Sequence, residues 1–391
     1  MKKSYKHNAK WLTWQAPFRV LSISSAFLAP FFLSKGLDLS QIFLLQSIFS
    51  LAYVLWELPS GYVADKIGRA RSIQLSAPIA AAAMVAYGFS GEFWQFIVCE
   101  LLLALANGLL SGVDTALLTD SLKAQKREHD FVRLRQRMDA LGYTAVAVGV
   151  PVAFLLVHYI GLGATLVADG LLIAAGSVFG FRLVEAPRFN GNSSAEAVRL
   201  SAWHAIKQLS RNAEARWLVA LGTSLAAATY FAYWLSAPYY TSLGIPVVWF
   251  GVMLAARSLW KAWLAHRFHG QANMAQKMTG YALTAGLVYA AMATQQIWLV
   301  WAVLGHDAVQ ALHRGPVTHQ LNQHMEHEYR ATLNSLVNLV QRLTYAVAGP
   351  VVGFMADHAG LPTAFAVTGA VCTSVALLAV SRLRRLRTFE A

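Results

Sequence analysis

The chain has 391 residues, of which 57% are hydrophobic and only 13% charged, and its formal net charge is +13. A soluble domain carries about 25% charged residues, so most of this chain is expected to sit in a bilayer rather than in water. The positive charge does not mark a nucleic-acid binder, because the basic residues fall in short gaps between long apolar runs.

A helix needs about 20 apolar residues to cross about 30 Å of hydrocarbon. Twelve runs reach that length, at roughly 12–33, 40–64, 72–90, 94–119, 138–159, 163–182, 216–241, 246–265, 277–295, 297–321, 331–356 and 361–381. The start, "MKKSYKHNAK", has the basic character of a signal peptide, yet no small-residue cleavage site follows. It is read as leading into a retained first helix. The longest polar stretch, 183–215, holds turn residues and then an amphipathic helical pattern. It separates an N-terminal six-helix half (1–182) from a C-terminal six-helix half (216–391). The predicted fold is an all-α membrane protein of twelve transmembrane helices in two pseudo-symmetric halves. Basic residues set the orientation. With both termini and the loops after spans 2, 4, 6, 8 and 10 on one side, that side collects 26 of the 32 lysines and arginines. The opposite side has Lys35, and the other five fall within spans. Both termini are therefore expected in the cytoplasm, and the protein in a bacterial inner membrane.

Between spans 2 and 3 lies "WELPSGYVADKIGRARSI", with the pattern Gly61-x-x-x-Asp65-Lys66-x-Gly68-Arg69-x-Arg71. A glycine lets helices approach closely, an aspartate suits a helix N-terminus, and arginines pair with carboxylates or phosphates. The pattern resembles the signature loop of the major facilitator superfamily, G-x-x-x-D-R/K-x-G-R-x-R/K. The stretch "AGPVVGFMADHAG", Ala348 to Gly360, is similar to a glycine-proline pattern common there. The resemblance implies a monomeric secondary transporter that works by alternating access, with this loop as a gating latch that holds one half against the other. Span 4 lacks the arginine that many drug exporters of that superfamily carry.

Ionisable groups inside spans are functional candidates. Glu57 precedes the latch. In span 4, Glu100, Asn107 and Asp114 recur every seven residues, with Ser111 between the last two. On one helix they form a polar stripe. Span 7 ends in "TYFAYWLSAPYY", aromatics expected at the outer membrane interface. Span 8 places Arg257 and Lys261 one turn apart. Span 10 carries His306, Asp307, Gln310, His313 and Arg314. Span 11 carries Asn334, Asn338, Gln341, Arg342 and Tyr345. Asp114, Glu100, Asp307 and Glu57 are candidate proton carriers. Asn107, Ser111, Arg257, Lys261, His306, Gln310, Arg314, Asn338, Gln341, Arg342 and Tyr345 are candidate cavity residues. Within spans the N-terminal half is net acidic, with Glu57, Glu100, Asp114, Asp139 and Asp169 against Arg19. The C-terminal half is net basic, with Arg257, Lys261, Arg314 and Arg342 against Asp307.

The expected activity is proton-coupled transport of a small organic molecule, with export of a drug-like compound or metabolite as the first reading. The second is transport of an anionic or zwitterionic carboxylate, such as a siderophore or another metal chelate. Rivals are an integral-membrane enzyme with His306 and Asp307 as an acid/base pair and a sensor that keeps the transporter fold. No phosphate-binding G-x-x-x-x-G-K-[ST] occurs, so ATP is not the driving force. Cys99 and Cys372 lie inside apolar runs and suggest no disulfide. His319, His324 and His327 lack a metal-binding rhythm, and no cofactor is expected.

Overall fold

The computed structural model describes residues 4–20, 22–187, 203–204, 206–267, 273–323, 330–386 and 388. The chain divides into two compact units, Met1–Leu37 with Ile48–Ser193, and Asp38–Ser47 with Ser194–Ala391. The first unit contains α1 (Asn8–Val20), α2 (Leu28–Ser34), most of α3 (Leu39–Ile67), α4 (Arg69–Phe89), α5 (Phe93–Leu110), α6 (Val113–Lys123), α7 (Phe131–Tyr159) and α8 (Leu162–Gly180). The second contains the start of α3, α9 (Ala213–Ser242), α10 (Phe250–Arg267), α11 (Met274–Ala293), α12 (Val303–Gln323), α13 (Arg330–His358) and α14 (Leu361–Arg385). Every predicted run coincides with a helix or a pair of helices. Among the described residues, nine segments are long and apolar enough to cross a membrane. Runs 1, 9 and 10 fall short. The first is broken, the ninth opens with Gln276, Lys277 and Thr279, and the tenth is interrupted by ionisable residues.

Lipid chains are as apolar as leucine, so helices in a bilayer associate through close packing and polar contacts. In the first unit α4 and α8 meet at Gly88 and Gly163. A Cβ on Gly88 would lie 2.7 Å from the Gly163 carbonyl oxygen. Beside this contact Phe31, Phe32, Tyr87 and Phe96 interlock, with Phe96 edge to face on Phe31 and Phe32 and Tyr87 tilted against Phe32. At the other end Leu12, Ile73, Leu117, Leu118 and Leu122 form a core that joins α1, α4 and α6. The second unit packs α9, α11, α12 and α14 around Leu218, Leu221, Met278, Val309 and Leu383. The first turn of α3 is capped by Asp357 of α13, which accepts from the backbone N–H groups of Leu39 and Ser40 and from the Ser40 hydroxyl.

Two spans of the first unit are discontinuous, which the hydrophobic pattern did not anticipate. Span 1 stops at Val20 and resumes at Leu28. The intervening sequence is rich in serine, which competes locally for backbone hydrogen bonds. Bare N–H groups at that depth are costly, and Asp169 of α8 satisfies them. Its buried carboxylate accepts from the Ile23 N–H (2.7 Å), the Ser24 N–H (3.0 Å), the Ser24 hydroxyl (2.6 Å) and the Ser22 hydroxyl (3.4 Å). Span 4 breaks between α5 and α6 at Gly112, whose φ of +70° is readily adopted only by glycine.

Removing the clamp on span 1 leaves buried donors unpaired, each at about 1–3 kcal/mol. Asp169→Ala is expected to destabilise the protein by about 3 kcal/mol, and Asp169→Asn, which keeps one acceptor oxygen, by about half that. Thermal unfolding in detergent checks both. An alanine variant as stable as wild type would show that the break needs no clamp.

Candidate functional site

The signature turn is built around Gly68, which has φ +101° and starts α4. Glu185, just beyond α8, accepts from the N–H groups of Arg69 (3.0 Å) and Ala70 (2.9 Å). A Cβ at position 68 would sit 2.9 Å from that carboxylate. The Arg69 guanidinium pairs with Asp120 of α6 and donates to the Ala116 carbonyl. Lys66 and Arg71 are exposed. The side chains of Gly61 and Asp65 lie outside the described residues. The sequence reading had this loop joining the two halves. The Arg69 contacts described here join α4 to α6 and to residue 185, all within the first unit. Asp120 and Glu185 were not singled out from the sequence. The available signal was topological, since they are carboxylates at span ends on the side crowded with cations.

Deeper in the first unit, Arg19 ends α1 and Asp114 opens α6, so each charge suits its helix terminus. Arg19 Nη2 donates to Asp114 Oδ2 at 3.1 Å, and Arg135 Nη1 of α7 lies 3.6 Å from the same oxygen. The ion pair therefore joins the two broken spans at their breaks. Next to the break in span 4, Tyr53 donates to the Ser111 hydroxyl (3.3 Å), and Ser111 donates to Glu57 (3.4 Å). The predicted stripe of Glu100, Asn107 and Asp114 does not run along one helix, because Gly112 separates Asp114 from the other two. Glu100 is buried and accepts from the Tyr87 hydroxyl at 2.9 Å, among the interlocked aromatics. Asn107 is exposed and donates to its own helix at Leu103.

In the second unit the cations gather on one carboxylate. Arg257 Nε and Nη2 of α10 grip Asp307 of α12 at 2.7 and 3.2 Å, and Lys261 Nζ lies 3.8 Å away. Arg257 also donates to Ser236 (3.1 Å) and Tyr240 (3.4 Å), and Lys261 to Gln310 (3.1 Å). The aromatics at the end of span 7 thus depart from an interfacial belt. Tyr239 and Tyr240 are buried, and Tyr240 serves the arginine. His306 and Asp307 do not form a pair. Successive helical residues diverge by about 100°, and His306 turns to the Tyr289 ring, 4.6 Å between centroids. Neither of its ring nitrogens has a hydrogen-bond partner among the described residues.

A cavity of ≈ 300 Å³ opens between α9, α12 and α13, lined by His313, Arg314, Asn334, Asn338 and Gln341. Arg314 donates to Asn338 Oδ1 at 3.4 Å. Arg342 is half-buried one residue beyond Gln341. Tyr345 stacks on Tyr230, with centroids 4.2 Å apart and planes at 4°. His324 and His327 lie outside the described residues. Among the described residues no group of three metal-capable side chains occurs.

Deleting one partner of a buried ion pair leaves an uncompensated charge, at about 3–5 kcal/mol. Arg257→Ala is expected to unfold at markedly lower temperature, and Arg257→Ala combined with Asp307→Ala to regain most of the loss. Additive losses in this cycle would show that the pair is not coupled.

Comparison with known proteins agrees with this architecture. The profile of the Major Facilitator Superfamily matches residues 19–349. The fold is similar to the crystal structure of a point mutant of the nucleoside transporter NupG, with TM-score 0.80, 14% identity, and coverage of 99% of this chain and 100% of that one. It is also similar to a bacterial homolog of the human lysosomal transporter Spinster in its inward-facing, unoccupied conformation (TM-score 0.71, 17% identity, coverage 100% and 98%). A POT family transporter bound to a thioalcohol-conjugated peptide gives TM-score 0.66, 11% identity, and coverage of 96% and 94%. No curated protein sequence matches the chain. With a family match over most of its length and a twelve-span helical fold, the chain belongs to the Major Facilitator Superfamily and is an integral membrane transporter rather than an enzyme.

Proposed function

We propose that this transporter moves a small organic compound bearing a carboxylate or a similar anionic group, together with protons. The observation that carries this reading is the gathering of Arg257 and Lys261 on the single carboxylate of Asp307, with Arg314 two turns further along α12 on the wall of its own cavity. Such cations suit an anion, and the surplus of positive charge in these spans needs one. A substrate carboxylate that engaged Arg257 and Lys261 would take partners from Asp307. A buried carboxylate without its cations favours the protonated form. Anion and proton would then bind together and cross together. This coupling favours co-transport over the antiport that drug export requires, so export of a drug-like compound is the second reading, supported by the signature loop alone. On the proposed coupling, Asp307 carries the proton. Asp114 and Glu57 form the matching polar cluster of the N-terminal half. Gln310, Asn338, Gln341, Arg342 and Tyr345 line the substrate's path, and His306, packed on Tyr289, supports the wall behind it.

The charge asymmetry of the loops supports a bacterial inner-membrane orientation with both termini in the cytoplasm. Two six-helix halves, 1–182 and 216–391, joined by the linker 183–215, would work by alternating access in a monomer.

The test is proteoliposomes loaded with a pH-sensitive dye and challenged with panels of monocarboxylates, amino acids, carboxylate chelates and cationic drugs. Anionic compounds are expected to acidify the lumen as they enter. Lys261→Gln is expected to raise KM about tenfold or more, the weight of a charged hydrogen bond, and Asp307→Asn to abolish the proton signal. Proton movement seen only with cationic drugs, and in the opposite direction, would replace this reading with export by antiport.

A further inference from the structure

A groove of ≈ 810 Å³ lies at one end of the first unit, and none of the ion pairs described above lines it. It runs between α2, α4, α7 and α8. Its walls are Phe31, Phe89, Leu156, Ile160, Val167 and Leu171, with Lys35 at the rim. Lys35 is the only charged residue among those that line it. Phe89, Ile160 and Leu171 are 77%, 73% and 61% exposed, so the groove opens outward from the unit. Apolar residues exposed along a span face acyl chains in a membrane.

Its depth in the bilayer follows from α4. That helix starts at Arg69, in the signature turn, and ends at Phe89, on the groove. Its 21 residues cover about 30 Å at 1.5 Å each, the thickness of the hydrocarbon. The groove therefore opens into the leaflet opposite the signature turn. On that side the loops hold Lys35 as their one basic residue, against 26 on the other, and the nearby carboxylates Asp38 and Glu92 do not line the groove. An anionic headgroup there has a single cation to meet. The ammonium of Lys35 rests over the Phe31 ring, 5.5 Å from its centroid. Cation–π contacts at exposed sites are weak, about 0.5–1 kcal/mol, so a phosphodiester can draw the ammonium away.

We propose that this groove is a binding site for an anionic phospholipid, with one acyl chain along α7 and α8 and the phosphodiester on Lys35. The charge complementarity decides the occupant. An apolar groove alone takes any chain, whereas a lone lysine at its mouth selects a headgroup with no compensating amine. The site shares no residue with the proposed transport path, and its test does not depend on the substrate.

The experiment uses the full-length protein in nanodiscs containing phosphatidylglycerol with a photoreactive diazirine on its acyl chain, followed by peptide mapping. Label is expected on the peptide that spans the α7–α8 turn. Unlabelled phosphatidylglycerol should compete it away better than phosphatidylcholine of the same chains. Lys35→Gln should reduce labelling about fivefold, the weight of one lysine near a membrane surface, and Lys35→Arg should retain it. Leu171→Trp, which fills the groove and leaves the charge alone, should reduce labelling with either headgroup. Equal competition by the two lipids, labelling indifferent to Lys35→Gln, or labelling indifferent to Leu171→Trp would each overturn the proposal.

Discussion

Hydrocarbon offers no water to replace a lost hydrogen bond, and every irregular feature of this protein answers to that constraint. Span 1 is unwound, so Asp169 supplies the acceptors that its exposed N–H groups require. Asp169 is itself buried, and those same donors make its burial tolerable. Arg257 is buried as well, and the bidentate grip on Asp307, with Ser236 and Tyr240 behind it, uses most of its fork of donors. In each case a group that would be prohibitively costly alone is retained with its partner as a unit.

The two units use this rule differently. In the first, charge sits where helices end or break. Arg19 closes α1, Asp114 opens α6, and Glu185 covers the start of α4. Helix termini already carry partial charges there, so each side chain gains from the backbone as well as from its partner. In the second unit Arg257 and Lys261 project from within α10 and Asp307 from the second turn of α12, and the three depend on each other. That cluster has more cations than carboxylates, the asymmetry on which the anionic-substrate reading rests.

Much of the fold was legible in the sequence because twelve apolar runs with basic residues in every second gap have few other solutions. The signature loop was legible because glycine, aspartate and arginine stand at the spacing of the superfamily's pattern. Periodicity assumes an unbroken helix, and that assumption failed at Gly112, which divided the stripe of Glu100, Asn107 and Asp114. Nothing in the hydropathy of span 1 separates "SISSA" from its neighbours strongly enough to reveal the unwinding. Asp169 was visible as a charge in span 6, but its partners are backbone groups about 145 residues away. Similarly, Arg257 and Lys261 were read as sharing a face, and the structure adds the shared carboxylate. The tyrosines of span 7 resembled an interfacial belt because composition cannot tell an aromatic that faces lipid from one that faces an arginine.

The clamp of Asp169 on span 1 acts chiefly through the peptide backbone. Two of its four donors are main-chain N–H groups, and a third hydrogen bond, from Ser22, is long. Side-chain identity at the break is constrained through the Ser24 hydroxyl, whose 2.6 Å bond is the shortest of the four, and backbone chemistry through the two N–H donors. Ile23 is 6% exposed, so packing holds its side chain while its N–H serves the clamp. The residue type excluded is proline, which has no N–H to give. Selection at this point of the membrane acts on the main chain, a constraint that a comparison of side chains alone does not display.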